Sequence, residues 1–194
     1  MSEMAAPYRR FAEWLADAQQ CEPNNPTAMS VATVGPDGRP SSRVVLLRGY
    51  DDRGFVFYTN FGSRKIREWQ LNPFISLCFH WKSLDRQVRI EGRAEQVSDE
   101  EADAYFASRP RDSQIGAWAS RQSEVLAGRF ELEARVAKYA ARFGLGKVPR
   151  PAFWSGVRVV PDAFEFWAER PFRLHDRESW RLVHGTWQSE RLFP

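Results

Sequence analysis

Side chains able to hold anions recur along this 194-residue chain at spacings that bring several together. "SRK" at residues 63–65 opens a stretch of helical periodicity. Two cations in the first turn of a helix oppose its dipole unless an anion is there to meet them. A phosphate at this point would receive backbone N–H groups, the Ser63 hydroxyl, Arg64 and Lys65; the alternative is a solvated first turn. "YFASRPRDSQIGAWASRQS" at 105–123 supplies a second set. Tyr105 and Arg109 are four apart and share one helical face, and Ser113 follows the break at Pro110. Tyrosine, arginine and serine make a three-donor phosphate cup, with a structural capping role as the alternative for Ser113, and Gln122 and Ser123 are neutral groups that can read a heterocycle edge.

Arginines also bracket the apolar run "RVVLLR". Arg43 and Arg48 are separated by an odd number, so a regular strand puts them on opposite faces. That serves either two separate anion contacts or two exposed strand ends. Gln87, Arg89 and Glu91 alternate with Val88 and Ile90, giving one polar strand face. In "RPFRLHDR" at 170–177, a strand would align Arg173, His175 and Arg177 on one face, between Leu174 and Asp176. Like charges so placed repel unless an anionic ligand or acidic partners offset them. His175 can carry a proton or orient a ligand as a donor; an exposed edge strand is the other reading. Trp81, Trp118, Trp154 and Trp167 suit a core, although an aromatic plane can also flank a flavin.

Other chemistries find little support. There is no GxSxG, and His175 next to Asp176 does not make a triad by adjacency. His80, His175 and His184 lack metal-ligand spacing, so no metal is expected. Neither GxGxxG after a strand nor GxxxxGK[ST] occurs, which leaves phosphate binding to side chains and helix ends.

These groups must be positioned by a mainly β, α+β arrangement. "YRRFAEWLADAQQ" places Phe11, Trp14, Leu15 and Ala18 on one helical stripe. "TAMSVATV" and "SSRVVLLRGY" read as strands about a "GPDG" turn, followed by "GFVFYTN", "FISLCFHW" and "RQVRIEGRAEQV". A short helix begins at Ser63 as N-cap and stops at Asn72-Pro73. Another starts with a capping box between Ser98 and Glu101, and a third runs from about Glu124 to Phe143. "GVRVVP", "AFEFWAE", "FRLHDRESWRLV" and "TWQSERLFP" return to strands. Many short strands with few helices suggest a closed or partly closed barrel, read as one domain over 1–194.

The net charge of +3, with acids and bases interleaved, permits an anionic ligand but gives no nucleic-acid footprint. Cys21 and Cys78 are far apart and fit a reduced, cytoplasmic protein. No signal-peptide pattern opens the chain, and no apolar run approaches the roughly 20 residues of a membrane span.

In order along the chain, "NPTAM", "RVVLLR", "GFVFYTNFGSRK", "NPF", "LDRQVRIEG", "YFASRPRDSQIGAWASRQS", "FEFW", "RLHDR" and "ERLFP" resemble the pyridoxamine/pyridoxine 5′-phosphate oxidase family, from about Pro26 to Pro194. The resemblance implies an FMN-binding split β-barrel with flanking helices. It implies FMN contacts at Arg43, Val44, Tyr58, Thr59, Arg64, Lys65, Gln87, Gln122, Ser123, Trp167 and Arg177. By the same resemblance the substrate phosphate meets Arg48, Tyr105, Arg109 and Ser113. Arg173, Leu174 and His175 meet the substrate too, with Arg173 and His175 as the catalytic pair against the pyridine ring and its C4′ substituent. The implied reaction passes a hydride from C4′ of a phosphorylated B6 vitamer to flavin N5, and O2 reoxidises the flavin with release of H2O2. The implied assembly is a homodimer with sites at the subunit interface, with neither nucleic acid nor membrane as partner.

Several positions depart from the family pattern. Arg48 stands where relatives commonly carry Lys, and Asn25 where an acid is frequent. The chain begins close to its first helix, without the longer arm of some members, and "WAERP" replaces the frequent Trp-Gln-Gly. Two other functions stay open: a related flavin oxidase acting on a phenazine-type substrate, and a non-catalytic FMN or pyridoxal-phosphate binding module.

Overall fold

In the computed structural model, which describes residues 4–194, nine antiparallel strands form one curled sheet. They are β1 (Ala28–Val34), β2 (Pro40–Leu46), β3 (Gly49–Asp51), β4 (Gly54–Asn60), β5 (Phe74–Trp81), β6 (Arg86–Gln96), β7 (Trp154–Ala168), β8 (Asp176–Val183) and β9 (Thr186–Arg191). The order is β2-β1-β5-β6-β7-β4-β3, with β8 and β9 continuing from the far half of β7. Five helices flank it: α1 (Ala6–Cys21), α2 (Arg64–Leu71), α3 (Asp99–Ser108), α4 (Arg111–Ala119) and α5 (Arg129–Phe143). The expected mainly β split barrel is therefore present. No helix among the described residues is long and apolar enough to cross a membrane.

The apolar stripe of α1 enters the core, with Phe11, Leu15 and Ala18 buried. Phe11 is fully buried and packs against the rings of Tyr50, Phe55, Phe79 and Trp81. Alternation holds along β6, where Val88 and Ile90 are buried and Gln87, Arg89 and Glu91 lie on the other face.

Strand β7 joins the two parts of the sheet. "GVRVVP" and "AFEFWAE" form this single strand rather than two. Pro161 cannot donate to a ladder, but it sits where the β6–β7 register shifts between Glu91 and Gly92, so the strand bulges and continues. A Cβ on Gly92 would lie 2.1 Å from the Val160 carbonyl oxygen, so this close approach requires glycine. The first half of β7 pairs with β4 and the second with β8.

Some boundaries differ from the sequence expectation for local reasons. The run "SSRVVLLRGY" breaks after Leu46, because Leu47 turns into the core. Asn25 adopts a positive φ of 44° and its carbonyl accepts the Ala28 N–H, a conformation that asparagine tolerates. Half of the expected capping box forms: Ser98 Oγ accepts the Glu101 N–H, while the Glu101 carboxylate binds Arg158 instead. The third expected helix starts at Arg129 rather than Glu124, since Gly128 is extended and Glu131 accepts the Ala127 N–H. Helix α4 was not anticipated; Pro110 occupies its N-cap position, only two residues after α3 ends.

Replacing Phe11 by Ala removes the ring on which four others converge. The expected loss is about 3–5 kcal/mol of unfolding free energy, measured by urea denaturation; a loss below about 1 kcal/mol would contradict this account of the core.

Candidate active site

Strands β2 and β4, helices α2, α3 and α4, and the loop after α4 line a cleft of about 830 Å³. One wall carries Arg43, Val44, Tyr58 and Thr59 from the strands, and Arg64 and Lys65 from the start of α2. Gln122 and Ser123 approach from the loop, and Arg48, Tyr105, Arg109 and Ser113 complete the lining. One chain thus gathers twelve of the expected site residues.

The Lys65 ammonium is buried and donates to Thr59 Oγ1 at 2.9 Å, Ser63 Oγ at 3.1 Å and Gln122 Oε1 at 2.9 Å. All three acceptors are neutral. Burial, aided by the nearby Arg43 charge, pulls this group down from 10.5 to about 8. Ser63 stands at the N-cap position of α2, yet its hydroxyl accepts from Lys65 rather than from the helix backbone, which corrects its expected capping role. The Arg64 N–H in the first turn donates to Ser123 Oγ at 3.1 Å. A cation supported only by neutral oxygens at a helix N-terminus has the donor chemistry of a phosphate cup.

A second cationic group lines the same cleft. The Tyr58 and Tyr105 rings stack at 3.9 Å, and Trp154 lies parallel to Tyr58 at 5.4 Å. The Arg109 guanidinium covers Trp154 at 4.7 Å. Its Nη1 is buried without a hydrogen-bond partner, and burial holds this guanidinium below its usual value. An orphaned buried donor is costly, and an anion in the cleft removes that cost. Burial, with Glu101 and Tyr105, pushes the Tyr58 phenol up to about 12, so it remains a donor at neutral pH. Gln114 donates to the Phe106 carbonyl at 2.9 Å, tying α4 to α3 and setting Ser113 beside Arg109 in the lining. Because β2 ends before Arg48, Arg43 and Arg48 line one cleft instead of opposite faces.

The remaining expected residues lie elsewhere in the chain. Gln87, Trp167 and Arg177 form a row across β6, β7 and β8. Arg177 grips the Glu165 carboxylate at 3.0 and 3.1 Å, and His175 packs on Trp167 with centroids 4.7 Å apart. None of these lines the 830 Å³ cleft, nor do Arg173 and Leu174, which are exposed. The strand expected through "FRLHDR" begins only at Asp176. Residues 171–173 form a 3-10 turn instead, with positive φ at Phe172 (59°) and Arg173 (61°). Arg170 closes this turn by pairing with Asp176 at 2.7 Å and donating its backbone N–H to His175 Nδ1 at 3.3 Å. Acidic partners therefore offset Arg170 and Arg177.

Sequence reasoning favoured the core for Trp154, which lines the cleft, and it missed Thr33, Ser41 and Glu68. Those three form a network around Arg43: Arg43 donates to Thr33 Oγ1 and Ser41 Oγ, both at 2.6 Å, and both hydroxyls donate to Glu68. No local pattern marks them, because the network exists only once α2 packs on the β1–β2 hairpin.

A curled antiparallel sheet with a cationic, aromatic-walled cleft beside it defines this chain as a split β-barrel. The family profile described as "Pyridoxamine 5'-phosphate oxidase" matches residues 15–143, and "Pyridoxine 5'-phosphate oxidase C-terminal dimerisation region" matches 154–194. The chain belongs to the pyridoxamine 5′-phosphate oxidase family. It is 60% identical over 193 residues to a pyridoxine/pyridoxamine 5′-phosphate oxidase of Rhodospirillum rubrum, covering 97% of this chain and 96% of that one. A protein of the same name from Chelativorans sp. is 56% identical, covering 100% and 93%. Among solved structures, PhzG from Burkholderia lata 383, in complex with tetrahydrophenazine-1-carboxylic acid, superposes with TM-score 0.93 at 33% identity, covering 100% and 95%. An FMN-binding protein of Nostoc punctiforme shares the fold, with TM-score 0.79 at 17% identity, covering 98% of each chain.

Between pH 8 and 10.5 the unfolded chain holds the Lys65 proton and the folded chain does not, so this group's contribution to stability rises with pH across that window. Below it the burial cost is fully present. The flavin-free wild type should therefore gain stability relative to Lys65→Met as pH rises from 8 to 10.5, read by urea denaturation of both proteins. A stability difference that does not change with pH would contradict the assigned environment.

Proposed function

We propose that this chain, as a cytoplasmic homodimer of one domain per subunit, uses FMN and O2 to oxidise pyridoxine 5′-phosphate or pyridoxamine 5′-phosphate to pyridoxal 5′-phosphate, with water hydrolysing the imine formed from the amine substrate and releasing ammonia. The observation that carries this reading is the pair of cationic groups in one cleft, around Lys65 and around the unpartnered Arg109 Nη1. Two phosphate-bearing aromatics, cofactor and substrate, need two such groups. The names of the Rhodospirillum and Chelativorans relatives support the same substrate class. The match of 154–194 to a dimerisation region supports the homodimer, and unpaired Cys21 and Cys78 support a reducing compartment.

The chemistry FMN supplies when bound is acceptance of a hydride from substrate C4′ and return of the electron pair to O2 as H2O2. The chain's own groups bind and orient. Arg43, Arg64 and Lys65, with Thr59, Gln122 and Ser123, hold the cofactor; Val44 and Tyr58 line its place in the cleft. Arg48, Tyr105, Arg109 and Ser113 hold the substrate phosphate, where the planar Arg48 adds a fork rather than a point charge. Gln87, Trp167 and Arg177, with Arg173, Leu174 and His175, complete the site from the partner subunit. In its neutral form His175 carries its proton on Nε2, because Nδ1 accepts from Arg170, so it offers substrate a donor. Arg173 steadies the pyridine ring.

The PhzG relative makes a carboxylated phenazine precursor the competing substrate class. The orphaned donor beside Tyr105 and Ser113 favours a phosphate, which satisfies several donors at once.

Oxygen uptake by FMN-loaded protein with either phosphorylated vitamer, accompanied by pyridoxal 5′-phosphate, tests the assignment. No turnover with these substrates, or faster turnover of tetrahydrophenazine-1-carboxylic acid, would overturn it. Arg109→Leu should cost about 2–4 kcal/mol, or roughly thirty- to a thousandfold in kcat/KM for the vitamer phosphate, with FMN affinity unchanged. An equal loss of FMN affinity would place Arg109 in the other cup.

A further inference from the structure

We propose that Glu68 is the positioning residue of the cofactor-phosphate cup, locking Arg43 and Arg64 in place and setting the cup's net charge to match a phosphate monoester dianion. The inference rests on the reading that Arg43, Arg64 and Lys65 hold the FMN phosphate.

Glu68 lies on the inner side of α2 and is 5% exposed. It does not line the cleft itself, yet it contacts both arginines of the cup and the two hydroxyls that brace Arg43. Its Oε1 receives Arg64 Nε at 2.7 Å, and its Oε2 receives Thr33 Oγ1 at 2.5 Å, Ser41 Oγ at 2.6 Å and Arg43 Nη2 at 3.4 Å. The two hydroxyls accept from Arg43 and donate to Glu68, so each is a relay with both ends fixed. Arg43 is held further by the Val31 and Ser41 carbonyl oxygens at 3.2 and 3.3 Å. Burial opposes ionisation of Glu68, but the hydrogen bonds from Ser41, Thr33 and Arg64 outweigh it and hold the carboxyl at about 2. It is thus an anion throughout the working pH range.

A buried carboxylate beside an anion site would repel the ligand if it did nothing else. Its benefit is geometric and electrostatic together. Without it, two arginines would crowd Lys65 with no counter-charge, and their side chains would have to be ordered when the ligand arrives. With it, three cations and one carboxylate leave the cup at net +2. A phosphate monoester above its second pKa, near 6, carries close to the matching charge.

The test compares FMN with riboflavin, which lacks only the phosphate, by fluorescence titration of the flavin-free homodimer. Glu68→Gln keeps the shape and removes the charge. It should raise the Kd for FMN roughly ten- to a hundredfold, leave the Kd for riboflavin within about twofold, and leave the far-ultraviolet circular dichroism unchanged. Thr33→Val, which cuts one relay, should shift FMN affinity in the same direction by less. If FMN and riboflavin weaken in parallel, Glu68 is merely structural and the inference fails. If FMN binds as well or better in Glu68→Gln, repulsion dominates and the inference also fails. If the wild type itself shows no preference for FMN over riboflavin, the cup assignment is wrong, and the inference falls with it.

Discussion

Removing a cation from water costs free energy unless anions or several hydrogen bonds meet it, and Arg43, Lys65 and Arg109 all line a single cleft. The molecule compensates each differently. Arg43 is bound into hydroxyls and a carboxylate, Lys65 rests on three neutral oxygens, and Arg109 lies on the face of Trp154 with one nitrogen unsatisfied. Of the three, only Arg109 is left with an unsatisfied nitrogen, and the carboxylate that compensates Arg43 lies outside the cleft lining.

The sheet makes the arrangement possible. Because β7 bonds β6 along its length and changes its other neighbour from β4 to β8, one strand links the cleft to the turn bearing Arg173 and His175. The link is rigid but divergent, since the turn's residues do not reach the cleft of their own chain. A pinned turn with two residues at positive φ stores strain that a flexible loop would release. Such strain is consistent with a segment shaped to present side chains to a second copy.

Much of this was legible in the sequence where chemistry and position coincide locally. "SRK" at a helix start read correctly because first-turn geometry needs no tertiary information, whereas Arg109 falls just past the end of α3 with extended backbone, so it meets Tyr105 in the cleft lining rather than on one helical face. The family motifs added residues such as Val44 and Thr59 that local rules could not select. What stayed hidden depends on distant packing. The bulge that carries β7 past Pro161 needs Gly92 on the neighbouring strand, 69 positions earlier. The alternation in "FRLHDR" imitated a strand, and only the Arg170–Asp176 closure and the positive φ values distinguish the turn. Thr33, Ser41 and Glu68 carry no motif, since their meaning comes from meeting around Arg43.

The central claim is that each complete site takes its phosphate cup from one subunit and its Arg173–His175 turn from the other. Co-expression of Arg109→Leu chains with Arg173→Ala chains tests this directly, with oxygen uptake measured at low vitamer concentration. Each variant alone should be nearly inactive. Random mixing makes about half of the dimers hybrids, each with one doubly altered site and one intact site, so activity should recover to roughly a quarter of the wild-type level. Mixed preparations no more active than the separate variants would contradict a site shared between subunits.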